Sequence, residues 1–274
     1  MRLAYQGEPG AYSEAAALQY ARHTDTLPCK TFDDVFDVVV HKKATHGVVP
    51  MENSIGGTIH RNYDLLVDHE IPITGEIELD VVHCLQALPG TKIKDIKVVY
   101  SHPQALVQCE RFLKDLGVTV AAVYDTAGGA KLVAEQTLQG AAALASRRAA
   151  EVFGLEVIQE AVQDFEFNIT RFFVIGGALP TDANKTTIVF ALPSTPGSLF
   201  KALSVFALRE INLTKLESRP IRGTPWEYLF YVDIDARRED LPTSRALTQL
   251  GEFAKWVRVL GTYKGWERAR PGRV

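Results

Sequence analysis

The order of strand-like and helix-like segments changes near Asn184, and that change constrains the architecture more than any other feature. Upstream, short apolar runs alternate with helical patterns. Residues 2–6 read as a strand and 13–23 (SEAAALQYARH) as a helix opened by Ser13, a favoured N-cap. The same pairing recurs at 47–50 with 59–68, at 98–100 with 103–116, and at 120–124 with 127–136. Strands alternating with helices of this length predict an α/β fold of mostly parallel sheets with helices on their faces. Ligands of such sheets sit beyond the carboxyl ends of the strands.

Downstream the order is different. The segment 178–185 (ALPTDANK) is short, polar and proline-containing, as a linker is. It is followed by a strand at 186–192, a helix at 197–210, strands at 213–220 and 227–235, a helix at 243–256 and a strand at 257–263. This βαββαβ order is the ferredoxin-like arrangement, two helices on one face of a four-stranded antiparallel sheet.

A chain of 274 residues exceeds one ordinary core and implies two or three packed units. Its 46% hydrophobic and 23% charged residues suit a globular protein. A net charge of −3 argues against nucleic acid as the main partner, because phosphate binding needs a concentrated basic face. The basic run Arg268 to Arg273 reads as a charged tail. Cys29, Cys84 and Cys109 are odd in number and far apart, which suits reduced, buried thiols better than a disulfide framework or a zinc site. The start runs directly into a strand without a signal pattern, and no apolar run approaches the roughly 18 residues of a membrane span. A cytoplasmic, non-membrane protein is the expectation.

Four segments carry groups suited to a small anion. In Gly7 to Glu14 (GEPGAYSE), two glycines allow a tight turn, and the following helix start offers free N–H groups to a carboxylate, although a plain strand-to-helix turn needs the same glycines. In Pro50 to Thr58 (PMENSIGGT), Glu52, Asn53 and Ser54 follow an apolar strand; a carboxyl group kept protonated there by desolvation is a candidate proton donor, and a helix-start charge is the plainer reading. In Ser101 to Gln108 (SHPQALVQ), Ser101 and Gln104 have capping-box spacing, Gln108 lies a turn further along the same face, and His102 reads as a surface or hinge residue. In Asn168 to Phe172 (NITRF), amide, hydroxyl, guanidinium and aromatic groups adjoin the apolar strand Phe173 to Ile175. Alone, that last cluster would be read as a solvated strand edge.

Taken together and in this order, the four blocks resemble the prephenate dehydratases, with Thr-Arg-Phe at Thr170 to Phe172, Glu52-Asn53-Ser54 and Ser101-His102-Pro103-Gln104 all matching that family's motifs. The resemblance covers nearly the whole chain. It implies a two-lobed catalytic domain over 1–178, folded like a periplasmic binding protein, with crossings near 75–82 and 164–172 and the active site between the lobes. It also implies an ACT regulatory domain over 186–263. The catalytic part begins at residue 1, so the helical chorismate mutase domain fused to some relatives is not expected.

The reaction so implied converts prephenate to phenylpyruvate, water and carbon dioxide, with no metal or organic cofactor. Thr170 would hydrogen-bond the departing hydroxyl, with Glu52 or a water as the ultimate proton source. Arg171 would pair with the pyruvyl carboxylate or brace the hinge. Asn53, Ser54, Ser101, Gln104, Gln108 and Asn168 would orient the substrate, and Phe172 would wall its ring. In the regulatory part, Glu217-Ser218-Arg219-Pro220 matches the family's phenylalanine-binding motif, and Gly197-Ser198-Leu199 stands where that family has Gly-Ala-Leu. L-Phenylalanine binding between paired chains of a homodimer or homotetramer is the implied control. Two alternatives stay open at this point: arogenate as the substrate, and a non-catalytic amino-acid sensor.

Overall fold

The computed structural model describes residues 1–221 and 223–267. The basic run Arg268 to Arg273 lies outside the described residues. The described chain divides into two compact units, one of residues 1–65 and 77–173 and one of residues 66–76 and 174 onward.

The first unit contains two sheets. Its first part runs β1 (Arg2–Gln6), α1 (Tyr12–Tyr20), β2 (Asp25–Cys29), α2 (Phe32–Val40), β3 (His46–Asn53), β4 (Gly57–Thr58), α3 (His60–Asp68) and β5 (Ile73–Asp80). β1 pairs in parallel with both β2 and β3. Thr31 and Asp34 form a reciprocal capping box at α2, so the buried stripe Val35, Phe36 and Val39 starts in register with the sheet.

The second part runs β6 (Cys84–Ala87), β7 (Val98–Ser101), α4 (Pro103–Gln108), α5 (Glu110–Leu116), β8 (Thr119–Ala122), α6 (Thr126–Glu135), β9 (Ala141–Ala145), α7 (Arg147–Phe153) and β10 (Glu156–Gln159), before β11 (Ile169–Ile175) returns to the first sheet beside β3. The second sheet has the order β10-β6-β9-β7-β8. β7 is parallel to β8 and β9, whereas β6 is antiparallel to β9 and β10. The chain therefore passes between sheets twice, at residues 81–83 and 160–168, and Val81 N–H donates to the Asn168 carbonyl at 2.7 Å where the two passages run side by side.

In the second unit, β12 (Lys185–Ala191), α8 (Ser198–Ala207), β13 (Leu213–Pro220), β14 (Tyr228–Ile234), α9 (Leu241–Phe253) and β15 (Trp256–Tyr263) form an antiparallel sheet of order β13-β14-β12-β15. This is the ferredoxin-like order expected from the sequence, with Ile188, Phe190, Phe206, Val232 and Leu250 in its core. The Pro72–Glu76 stretch belongs here too. Ile73 pairs in parallel with Gly261, and Glu76 receives the Lys185 ammonium at 3.0 Å.

Three local expectations are corrected. α1 begins at Tyr12 and ends at Tyr20, with Ala11 rather than Ser13 at the N-cap. The helix expected over 103–116 breaks at Cys109 into α4 and α5. The cap of α4 is His102, whose Nδ1 accepts from Gln104 N–H at 3.2 Å, while the Ser101 hydroxyl donates to the Leu144 carbonyl of β9 at 2.6 Å. A backbone carbonyl one strand away outcompetes the local capping box. Cys29, Cys84 and Cys109 are free and buried, and burial pushes Cys29 up to about 11 and Cys109 to about 12. Among the described residues no helix is long and apolar enough to cross a membrane.

Candidate active site

Within the first unit, a cleft of about 160 Å³ lies where β3, β11, α1, α4 and α6 converge. Asn53, Gln104, Gln108, Thr170 and Phe172 line it together with Tyr12, Ser13, His83 and His102. A second cavity of about 400 Å³ shares Tyr12, Ser13, His102 and Thr126 with the first.

Asn53 organises one wall. Its carbonyl oxygen accepts from the Ile55 and Gly56 N–H groups at 3.0 and 2.7 Å, in the tight turn that follows β3. Those donors can face only an oxygen, so the amide orientation is set. The NH₂ group then donates to Asn168 Oδ1 at 2.7 Å and to Thr170 Oγ1 at 3.0 Å. A hydroxyl has one hydrogen to give, and Thr170 already accepts from Asn53, so its own hydrogen is left for a partner in the cleft.

The same constraint propagates inward. Asn168 presents its NH₂ to Gln108 Oε1 at 2.9 Å, and that oxygen also lies 2.9 Å from His83 Nε2. His83 must therefore carry its proton on Nε2. Burial lowers the His83 pKa, partly opposed by the Gln108 bond, and keeps the ring neutral near pH 7. Its Nδ1 faces the Tyr12 hydroxyl at 2.9 Å, which also reaches the Val82 carbonyl at 2.8 Å. Burial holds the Tyr12 pKa well above its ordinary value, so this phenol stays a donor. Gly56 has a steric role: a Cβ there would collide with the Gln104 amide.

The Gly7 to Glu14 turn joins the two sides of the cleft. Gly10 adopts φ +90°, and a side chain there would meet the Ala149 backbone of α7 at 2.6 Å. Ser146 donates to the Gly10 carbonyl at 2.6 Å, Glu8 receives Lys131 at 3.1 Å and Tyr124 at 2.9 Å, and Glu14 receives Arg148 at 2.7 Å. Burial pushes the Glu14 carboxyl up, but Arg148, the Gly10 N–H and Thr26 together outweigh it and hold the pKa below the usual value.

The stretch 3–178 matches the family model described as prephenate dehydratase. The chain belongs to the prephenate dehydratase family. It is an enzyme of dehydration in phenylalanine biosynthesis, a carbon–oxygen lyase. Residues 186–252 match the ACT domain model. Arogenate dehydratase/prephenate dehydratase 2, chloroplastic, of Arabidopsis thaliana is 48% identical over 276 residues, covering 96% of this chain and 72% of its own. Among solved structures, prephenate dehydratase from Arthrobacter aurescens in complex with L-Phe superimposes with a TM-score of 0.87 at 31% identity, over 96% of this chain and 90% of that one. GqqA, described as a novel type of quorum quenching acylase, superimposes with a TM-score of 0.90 at 34% identity, over 97% and 98%.

Several expected dehydratase residues point elsewhere. Glu52 and Arg171 pair with each other at 3.4 Å, Arg171 stacks over the Phe173 ring, and neither lines the cleft. In this arrangement the Arg171 guanidinium braces β11 against β3, the second of the two roles expected for it, and Glu52 is its ion-pair partner. Ser101 is fully buried with its hydroxyl spent on Leu144, and Ser54 ties the returning passage by donating to the Phe167 carbonyl and accepting from Ile169 N–H. Both support the wall without facing the cleft. In the Gly7 to Glu14 turn, the N–H groups of Gly7, Glu8, Gly10 and Ala11 all have protein partners, so the turn itself is not an open anion cradle. Tyr12 and His83 were not singled out from sequence. His83 follows a strand with no motif around it, and only the fold brings it against Gln108.

In the ACT domain, Gly197 takes φ +79° at the N-cap of α8, and Ser198 and Leu199 line a cavity with Trp226, Tyr228 and Phe230. Glu217, Ser218, Arg219 and Pro220 lie on β13, whose Ser218, Arg219 and Pro220 pair with Phe230, Leu229 and Tyr228. The two expected effector segments thus lie at the same end of the sheet, with β14 between them.

Proposed function

We propose that this chain catalyses the decarboxylating dehydration of prephenate to phenylpyruvate, with residues 1–178 carrying the reaction and 186–263 its control by L-phenylalanine. The observation that carries the reading is the Asn53 to Thr170 hydrogen bond, which leaves the Thr170 hydrogen directed to a ligand. Thr170 donates to the departing hydroxyl, and the Asn53 N–H groups stabilise the charge that develops on Oγ1 as the proton leaves. The substrate carboxylate departs as carbon dioxide, its electron pair enters the ring, and the carbon–oxygen bond breaks to give water. Thr170 regains a proton from solvent. Gln104 and Gln108 orient the substrate, and Phe172 walls the ring.

An acylase mechanism would require a base against the hydroxyl. Thr170 instead faces an amide N–H, which favours dehydration. For regulation, phenylalanine binds beside Ser198, Leu199 and the Glu217 to Pro220 strand, between ACT domains of a homodimer or homotetramer, and favours the less active state. A cytoplasmic setting fits the reduced thiols. The test is phenylpyruvate formation from prephenate in competition with arogenate, with and without phenylalanine. Preferential conversion of prephenate, inhibited by phenylalanine, supports the reading. Preferential conversion of arogenate moves the substrate assignment, and absence of both conversions refutes the reading.

A further inference from the structure

In the second unit a cavity of about 520 Å³ opens between α9, β15 and the loop that joins β14 to α9. Two arginines line it, Arg238 and Arg258, and among the described residues no acidic side chain does. It shares no residue with the catalytic cleft or with the cavity beside Ser198 and Leu199. Asp240, the acid at the N-cap of α9, is turned to the Arg237 N–H at 3.2 Å. Two like charges at one concave surface repel each other and together attract an anion. Arg258 is also held in place: its Nη2 donates to the Leu66 and Val67 carbonyls in the last turn of α3, at 2.6 and 2.9 Å. Its Nε and Nη1 hydrogens have no partner among the described residues, so a fixed guanidinium still has hydrogens to give. Arg238 makes no ion pair or hydrogen bond among the described residues, and the Ser244 hydroxyl is likewise uncommitted. Thr248 spends its hydroxyl on the Ser244 carbonyl at 2.9 Å.

We infer that this cavity is a binding site for a phosphoryl group, held by Arg238, Arg258 and the Ser244 hydroxyl. A planar carboxylate is satisfied by a single guanidinium fork. Donors that arrive from a loop, a helix and a strand suit a tetrahedral anion instead, whose oxygens point in several directions and carry more than one charge near neutrality. Leu247, Val257 and Val259 add an apolar side to the same cavity, against which the organic part of a phosphate monoester can pack.

The test is calorimetry on the full chain in phosphate-free buffer, with inorganic phosphate, phenyl phosphate and acetate as probes, for the wild type and for Arg238→Gln and Ser244→Ala. Both variants alter exposed side chains and should fold as the wild type does. The wild type should bind phosphate saturably, and acetate at least about tenfold more weakly. Arg238→Gln should weaken inorganic phosphate about tenfold, and Ser244→Ala by less. Tighter binding of phenyl phosphate, also weakened in Arg238→Gln, supports a monoester as the ligand, whereas equal binding of the two phosphates supports the free ion. No saturable binding of either phosphate would overturn the site, as would wild-type affinity for inorganic phosphate in Arg238→Gln. Acetate bound as tightly as phosphate would overturn the phosphoryl assignment.

Discussion

Asn53 Nδ2 lies 3.0 Å from Thr170 Oγ1, and the opposite end of the same amide is fixed by two backbone N–H groups. The direction of this bond determines what Thr170 can offer. Asn53→Asp preserves the backbone contacts but places an oxygen against the hydroxyl, which must then donate its hydrogen inward. The expected result is a kcat lower by about 10² to 10³, together with a lower melting temperature because the new oxygen also faces Asn168 Oδ1. Steady-state kinetics beside thermal unfolding measure both.

His83 acts on this pair from a distance, through Gln108 and Asn168. His83→Phe removes the Nε2 donor and frees Gln108, and small misplacements of this kind cost up to about 10² in rate. His83→Gln returns an N–H in a similar place and should recover most of kcat. Because burial lowers the His83 pKa, any acid limb it contributes to the rate profile lies below pH 6.5, and His83→Gln should remove that component.

The Glu14 and Arg148 pair predicts a signature in acid. The folded carboxyl has a pKa below the ordinary 4.5, so its stabilisation is whole above that value and is lost as pH falls from there through the lowered pKa. Glu14→Gln should cost about 1–3 kcal/mol near neutrality and flatten this part of the acid slope. Denaturant midpoints across the acid range check it.

Arg171 next to Thr170 invites a catalytic assignment, but its guanidinium faces Glu52 and Phe173. Arg171→Met should therefore lower stability by up to about 3 kcal/mol. Where the variant remains folded, substrate KM should stay within a few-fold of the wild type. A KM increase at full stability would restore the clamp.

Much of this was legible in the residues. The strand-and-helix rhythm placed β1, β3, β7 and β8, and the βαββαβ order anticipated the β13-β14-β12-β15 sheet of the second unit, because both rest on periodicity. Asn53, Gln104, Gln108, Thr170 and Phe172 do meet in one cleft. What failed were choices between partners. Ser101 had capping-box spacing, but the Leu144 carbonyl on a neighbouring strand took its hydroxyl. Glu52 and Arg171 each suited an anion chemistry alone, and their mutual attraction across two adjacent strands is visible only once β3 and β11 are paired. Tyr12 lies within the Gly7 to Glu14 segment, but His83 is 71 residues away with no motif around it, and their contact exists only in the fold.

The central claim is that Thr170 supplies the proton to the departing hydroxyl while other groups hold the substrate. Its most direct test is prephenate turnover by Thr170→Val beside substrate binding by the same variant. The account predicts that turnover falls by about 10² to 10⁴ while prephenate still binds within a few-fold of the wild type. Turnover by folded Thr170→Val at the wild-type rate would contradict it.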